Sequence, residues 1–235
     1  MRLYEECLKA LEELTEGYAC RRLTTDAPWP DGGKNQLLFR SDTAFELGSG
    51  VLPAMSGLFI TQRPDSVPGD EVLLYGPDLD EMGGDSPYAR IALVRIREDA
   101  AKSEEKTYQL MRKLEYARYH INPLGFMLRI SSLNCRESAR IGREALKNGL
   151  NLGAVGHAFL EEYHKHPEVE AVKLIFVTDP AFPYDRAAEL IRRGEDITKT
   201  LDHLRQKVKM DCTVCGLKDI CAEVEELCKE DFPKG

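Results

Sequence analysis

The sequence predicts an α/β (α+β) protein: a layered mixed sheet with flanking helices, a β-rich N-terminal half, and a helical C-terminal extension carrying a cysteine cluster. Three observations predict it. Short runs of β-forming residues separated by Pro, Gly and Asp fill the stretch from 37 to 96. From 103 onward, segments with helical apolar spacing alternate with apolar, strand-like runs. Near the end, four of the seven cysteines fall within 17 residues.

Taken in order, Leu3, Cys7, Leu8, Leu11 and Leu14 recur at helical spacing, so residues 2–16 read as an amphipathic helix. A turn-rich loop at 27–33 holds the only tryptophan, Trp29. Strands are expected at 37–40, 44–47, 57–62, 71–75 and 90–96, with Pro/Gly/Asp clusters at 63–70 and 76–88 between them. Tyr108, Met111, Leu114 and Tyr119 give a helix from 103 to about 120, stopped by Asn122-Pro123. A strand at 126–131 leads to a helix at 136–147, closed by Asn148-Gly149 as a C-cap. A helix at 152–166, ended by Pro167, precedes an apolar strand at 169–178. Two helices, 184–193 and 197–209, carry the chain to the cysteines, with Gly194-Glu195-Asp196 as the linker between body and extension. The expected organisation is therefore an N-terminal helix and loop at 1–35, an α/β body at 36–194, and a helical cysteine-containing tail at 195–235.

Composition narrows the function classes. A hydrophobic content of 43% is enough to bury a proper core without disulfides. The excess of 40 acidic over 32 basic residues, with no Lys/Arg block, disfavours nucleic acid as a partner, because a phosphate backbone needs neutralising cations. No apolar run approaches the roughly 20 residues a bilayer requires, and the N-terminus is charged and amphipathic rather than a signal peptide, so no membrane association and a cytoplasmic location are expected. No phosphate-binding loop, dinucleotide fingerprint or serine elbow is present, so nucleotide hydrolysis and serine-nucleophile chemistry have no support.

The strongest chemical signal is the set Cys212, Cys215, Cys221 and Cys228. In a reducing compartment such clustering reads as metal-binding or redox-active rather than as a disulfide framework. A Cys-x-x-Cys turn can aim two thiolates at one metal, and Gly216 permits the tight backbone it needs. Soft thiolates select an iron–sulfur cluster, zinc or copper(I) over hard cations, and four of them suit a [4Fe–4S] cluster or a tetrahedral zinc site equally well in number. A redox pair with two packing cysteines, or packing alone, are the plainer alternatives. Residues 217–229 also read as a helix, on which Cys221 and Cys228 would stand about 10 Å apart along the axis. Cys7, Cys20 and Cys135 are scattered and read as small buried hydrophobes.

Over residues 37–178 the chain resembles the middle domain of acetyl-CoA synthase, the β subunit of the CO dehydrogenase/acetyl-CoA synthase complex. The resemblance is carried by Ala44-Phe45-Glu46-Leu47, by residues 71–81 with their Gly76-Pro77-Asp78, by the strand at 90–96, by 140–149, by Leu152-Gly153-Ala154-Val155-Gly156-His157, and by 172–180. The pair Cys212 and Cys215 follows where that family places the first two ligands of its nickel–iron–sulfur centre. Departures accompany it. The Cys-Gly-Cys that holds the family's outer nickel is absent, Cys221 and Cys228 lie closer together than the family's remaining cluster cysteines, and the sequence holds no counterpart of the family's N- and C-terminal domains.

The resemblance implies a stand-alone relative with a [4Fe–4S]-type cluster and no nickel. It would be an accessory or non-catalytic iron–sulfur protein of anaerobic CO or one-carbon metabolism, with a CO dehydrogenase/acetyl-CoA synthase-type system as its partner. A second implication is a coenzyme A-binding subunit of an acetyl-CoA-forming complex, using Arg129, Arg136, Arg140 and Arg143, since guanidinium groups donate paired hydrogen bonds to phosphates. Arg129 stands where the family has a tryptophan. Read alone, Arg136, Arg140 and Arg143 are the solvated face of an amphipathic helix. A zinc-stabilised interaction module is the third expectation. His157, His164 and His166 read as surface histidines, and Asp78, Asp80, Glu81 and Asp85 as a turn rather than a cation site.

Overall fold

The computed structural model describes residues 2–25, 28–131, 136–206 and 214–232. It is mixed α/β, with two sheets and flanking helices, as the alternation of patterns predicts. A five-stranded sheet has the order β1 (Cys20–Leu23), β4 (Glu71–Tyr75), β8 (Val169–Val177), β5 (Tyr88–Ile96), β3 (Ala54–Thr61). The pairs β4/β8 and β3/β5 are parallel, while β1/β4 and β5/β8 are antiparallel. The central strands β5 and β8 are buried along almost their whole length, which is why they read as continuous apolar runs rather than alternating ones. A second, antiparallel sheet has the order β2 (Thr43–Leu47), β7 (Arg136–Gly142), β6 (Phe126–Ser131), and its strand β7 packs against β3 and β5.

Six α-helices are described: α1 (Glu5–Thr15), α2 (Glu104–Ala117), α3 (Arg143–Lys147), α4 (Leu152–His164), α5 (Tyr184–Gln206) and α6 (Lys218–Asp231). Their starts follow local chemistry. Ser103 accepts from Lys106 N at 3.2 Å to cap α2, and Asn151 accepts from Ala154 N at 2.9 Å to cap α4. Gly149, at φ +92°, turns the chain out of α3 as a left-handed residue must. The acidic turn at 78–81 is structural: Asp78 Oδ1 accepts from Leu79 N at 2.6 Å and from Leu152 N at 2.8 Å, joining this turn to the start of α4.

Four expectations are corrected. The helix expected at 136–147 is strand β7 followed by the short α3. Glu137, Ala139 and Ile141 turn into the interior at spacing two, and pairing on both edges, with β2 and β6, decides the conformation. The strand expected at 37–40 is irregular, whereas Cys20–Leu23, read as loop, pairs with β4 as an edge strand. The helices expected at 184–193 and 197–209 form the single helix α5, so the 194/195 boundary falls inside it. Gly194 is used for close approach rather than for a break: a Cβ there would lie 2.5 Å from the Phe59 ring. In the same contact, a Cβ on Gly57 would meet Ile191 at 2.8 Å, so α5 lies directly on β3.

Candidate functional site

The cysteine segment follows α5. Helix α6 packs on α5, with Val224 buried, and is held by two ion pairs: Arg193 to Glu223 in its middle at 2.7 Å, and Arg2 to Glu230 near its end at 2.6 Å. The backbone N–H of Arg2 also donates to Asp231 at 2.7 Å. These contacts make the tail part of the core formed with α1 and α5.

The cysteines divide into two chemical kinds. Cys7 and Cys228 are buried, at 1% and 3% exposure, and burial pushes their thiols up to about 11 and about 12. Forming a thiolate there costs more than at a thiol open to water. Cys215 lies in the turn before α6, and Cys221 lies in the first turn of the helix; both are partly exposed. Helix N–H groups at that end favour negative charge. Helix α6 is unbroken from 218 to 231, so Cys221 and Cys228 stand about 10 Å apart along its axis and cannot share one ion in this arrangement. Cys212 and Cys135 lie outside the described residues. Among the described residues no three His, Cys, Asp or Glu side chains are grouped to hold a metal ion.

The four arginines are placed on the second sheet and its flanks, each donating to the chain itself. Glu46 on β2 receives Arg129 Nη1 at 2.9 Å and Arg140 Nε at 2.7 Å. Arg136 Nη2 donates to the carbonyls of Gly48 and Gly50 at 2.7 and 2.9 Å, and Arg143 Nη2 to that of Thr43 at 2.9 Å. They are neither a helix face nor a convergent clamp; they pin residues 43–52 to β6, β7 and the start of α3. His164 pairs with Asp70 at 2.8 Å, and His157 lies 3.4 Å from Glu161.

Sequence reasoning missed a cavity of about 360 Å³ between β3, β5, α2, α4 and α5. Arg90 on β5 and Arg118 at the end of α2 line it, 2% and 7% exposed, beside Ser56, Leu58, Met111 and Tyr163. Burial raises the Tyr163 phenol pKa, and the neighbouring Arg90 charge opposes that rise. One signal could have found the site. Arg90 lies in the mostly apolar first part of β5, before Arg95, and Glu137 sits among the inward positions of another strand; a buried charge of each sign implies a meeting.

The fold and site define a class: an α/β protein with a doubly covered mixed sheet and a cysteine-bearing C-terminal helix. No protein-family model matches the chain, and no curated protein matches it. None of its helices among the described residues is long and apolar enough to cross a membrane.

Proposed function

We propose that this chain is an accessory iron–sulfur protein related to acetyl-CoA synthase, serving CO or one-carbon metabolism by presenting a thiolate-held centre at the start of α6 to a partner of CO dehydrogenase/acetyl-CoA synthase type. The observation that carries this reading is the division of the cysteines. Cys7 and Cys228 are locked in the core, whereas Cys215 and Cys221, at the start of α6, are partly exposed and follow Cys212 in the sequence. Soft sulfur donors suit an iron–sulfur cluster, with zinc the alternative occupant. Cys212, Cys215 and Cys221 are the leading ligands. Cys228 joins them only if the C-terminal turns of α6 unwind.

Anaerobic purification with metal analysis and electron paramagnetic resonance tests the proposal. About four irons per chain and a reducible cluster signal support it. Stoichiometric zinc supports an interaction module instead, and a chain free of both metals removes the reading. Cys221→Ala is expected to lose the metal and Cys7→Ala to keep it. Metal content in Cys228→Ala separates a three-cysteine from a four-cysteine centre.

A further inference from the structure

Protein interiors are packed to the density of organic crystals and leave few spaces larger than a water molecule. The cavity between β3, β5, α2, α4 and α5 departs from that rule, at about 360 Å³. Its walls are fixed by contacts already in place. Helix α5 is seated on β3, where Gly57 meets Ile191 and Gly194 meets Phe59. Arg90 gives Nε and Nη2 to the two carboxylate oxygens of Glu137, at 2.6 and 2.7 Å, and Arg118 gives Nη1 to Ser56 Oγ and Nη2 to Glu115 Oε1, both at 3.0 Å.

Charge decides which class of molecule suits the space. Four cations line it: Arg90, Arg112, Arg118 and Lys199. Arg90 faces Glu137 and also hydrogen-bonds the Tyr163 phenol, Arg112 and Arg118 share Glu115, and Lys199 lies 3.6 Å from Glu195 and 3.2 Å from Asp196. Four carboxylates therefore answer four cations, and the charges sum to zero. The Arg90 and Arg118 side chains are shut away behind these contacts, so neither is offered to an incoming anion. A charged guest would shed its hydration here without gaining a counter-ion, which is costly. An uncharged guest escapes that penalty, and Leu58, Met111, Ile191 and Tyr163 supply apolar wall for it.

We infer that this cavity is a binding site for a small, uncharged, mainly apolar molecule, held by burial of its carbon surface rather than by ion pairing. A cavity of about 150 Å³ suffices for benzene, and pockets of about 300–1,000 Å³ take small-molecule ligands, so the space admits a guest of about one or two rings. Release of water from the apolar wall drives its entry. The site is independent of the cysteine segment and of any metal there.

Calorimetric titration of the full chain with indole, benzyl alcohol, benzoate and benzylammonium at neutral pH tests this. Indole or benzyl alcohol is expected to bind at millimolar concentration or below. Benzoate and benzylammonium, similar in size to benzyl alcohol but charged, should each bind at least about tenfold more weakly. In protein with labelled methionine methyl groups, the Met111 resonance should shift on addition of indole, while that of Met82, outside the cavity, stays in place. Leu58→Trp, which adds bulk to the wall and alters no charge, should weaken indole by about tenfold or more. Failure of both neutral probes to bind, either charged probe binding as tightly as they do, an unmoved Met111 resonance, or an unchanged affinity in Leu58→Trp overturns the inference. The probe comparison and the methionine signals use the unaltered protein, so they decide the matter even if the variant fails to fold.

Discussion

Arg90 and Glu137 meet in a bidentate ion pair at 2.6 and 2.7 Å, both side chains shut away from solvent, and this pair joins the five-stranded sheet to the three-stranded one. Burial alone would pull the Arg90 pKa down, but the Glu137 carboxylate outweighs it, so the guanidinium stays charged. Removing Glu137 leaves a buried cation without its counter-charge. Glu137→Gln is therefore expected to cost about 3–5 kcal/mol in urea denaturation. The double variant Arg90→Met/Glu137→Leu should recover most of that loss, because no charge is then buried. A double variant as unstable as Glu137→Gln refutes this account.

Thiol reactivity should follow exposure. In metal-free native protein, iodoacetamide should modify Cys20, Cys215 and Cys221, while Cys7 and Cys228 react only after denaturation, as read by peptide mass spectrometry. A bound centre should protect Cys215 and Cys221 but not Cys20.

The same burial sets a pH dependence. Cys7 and Cys228 have folded-state pKa values of about 11 and about 12, raised from an ordinary value of 9.0. The stability they contribute is fully present below pH 9, where both states carry the proton. It is lost as pH rises toward 11 to 12, because only the unfolded chain ionises in that window. Cys228→Ala should flatten part of that alkaline decline in thermal melts.

Gly194→Ala sets two effects against each other. Alanine improves helix propensity by about 1 kcal/mol, but its Cβ would lie 2.5 Å from the buried Phe59 ring. Overpacking of a fixed ring costs about 1–3 kcal/mol, so net destabilisation is expected in chemical denaturation. Phe59→Leu in the same background should relieve it.

Arg136 donates to several backbone carbonyls of the loop after β2, so Arg136→Ala should lower stability by about 1–3 kcal/mol. Titration with coenzyme A then separates the two uses of the arginines. Heat in the native protein that Arg136→Ala and Arg140→Ala both abolish, with stability unchanged, would restore a phosphate-binding role.

The arginines illustrate where sequence reading stops. Arg136, Arg140 and Arg143 fit a helical face by spacing, yet Glu137, Ala139 and Ile141 carry an equally legible alternation of period two. Both patterns coexist in one segment, and only the partner strands β2 and β6 select between them. Gly194 was ambiguous for a related reason: its missing side chain permits a break and also permits close packing, and the position of Phe59 is invisible in one dimension.

By itself the sequence determined the α/β class, most helix and strand positions, and the crowding of cysteines after α5, because these depend on near neighbours in the chain: periodicity, caps and spacing. Only the tertiary structure decided that Cys228 belongs to the core, that Glu46 occupies Arg129 and Arg140, and that Arg90 and Arg118 border one cavity. The physical reason is that burial and pairing are properties of surfaces brought together by folding, between residues as distant in sequence as Tyr4 and Thr198, whose hydroxyls meet at 2.9 Å.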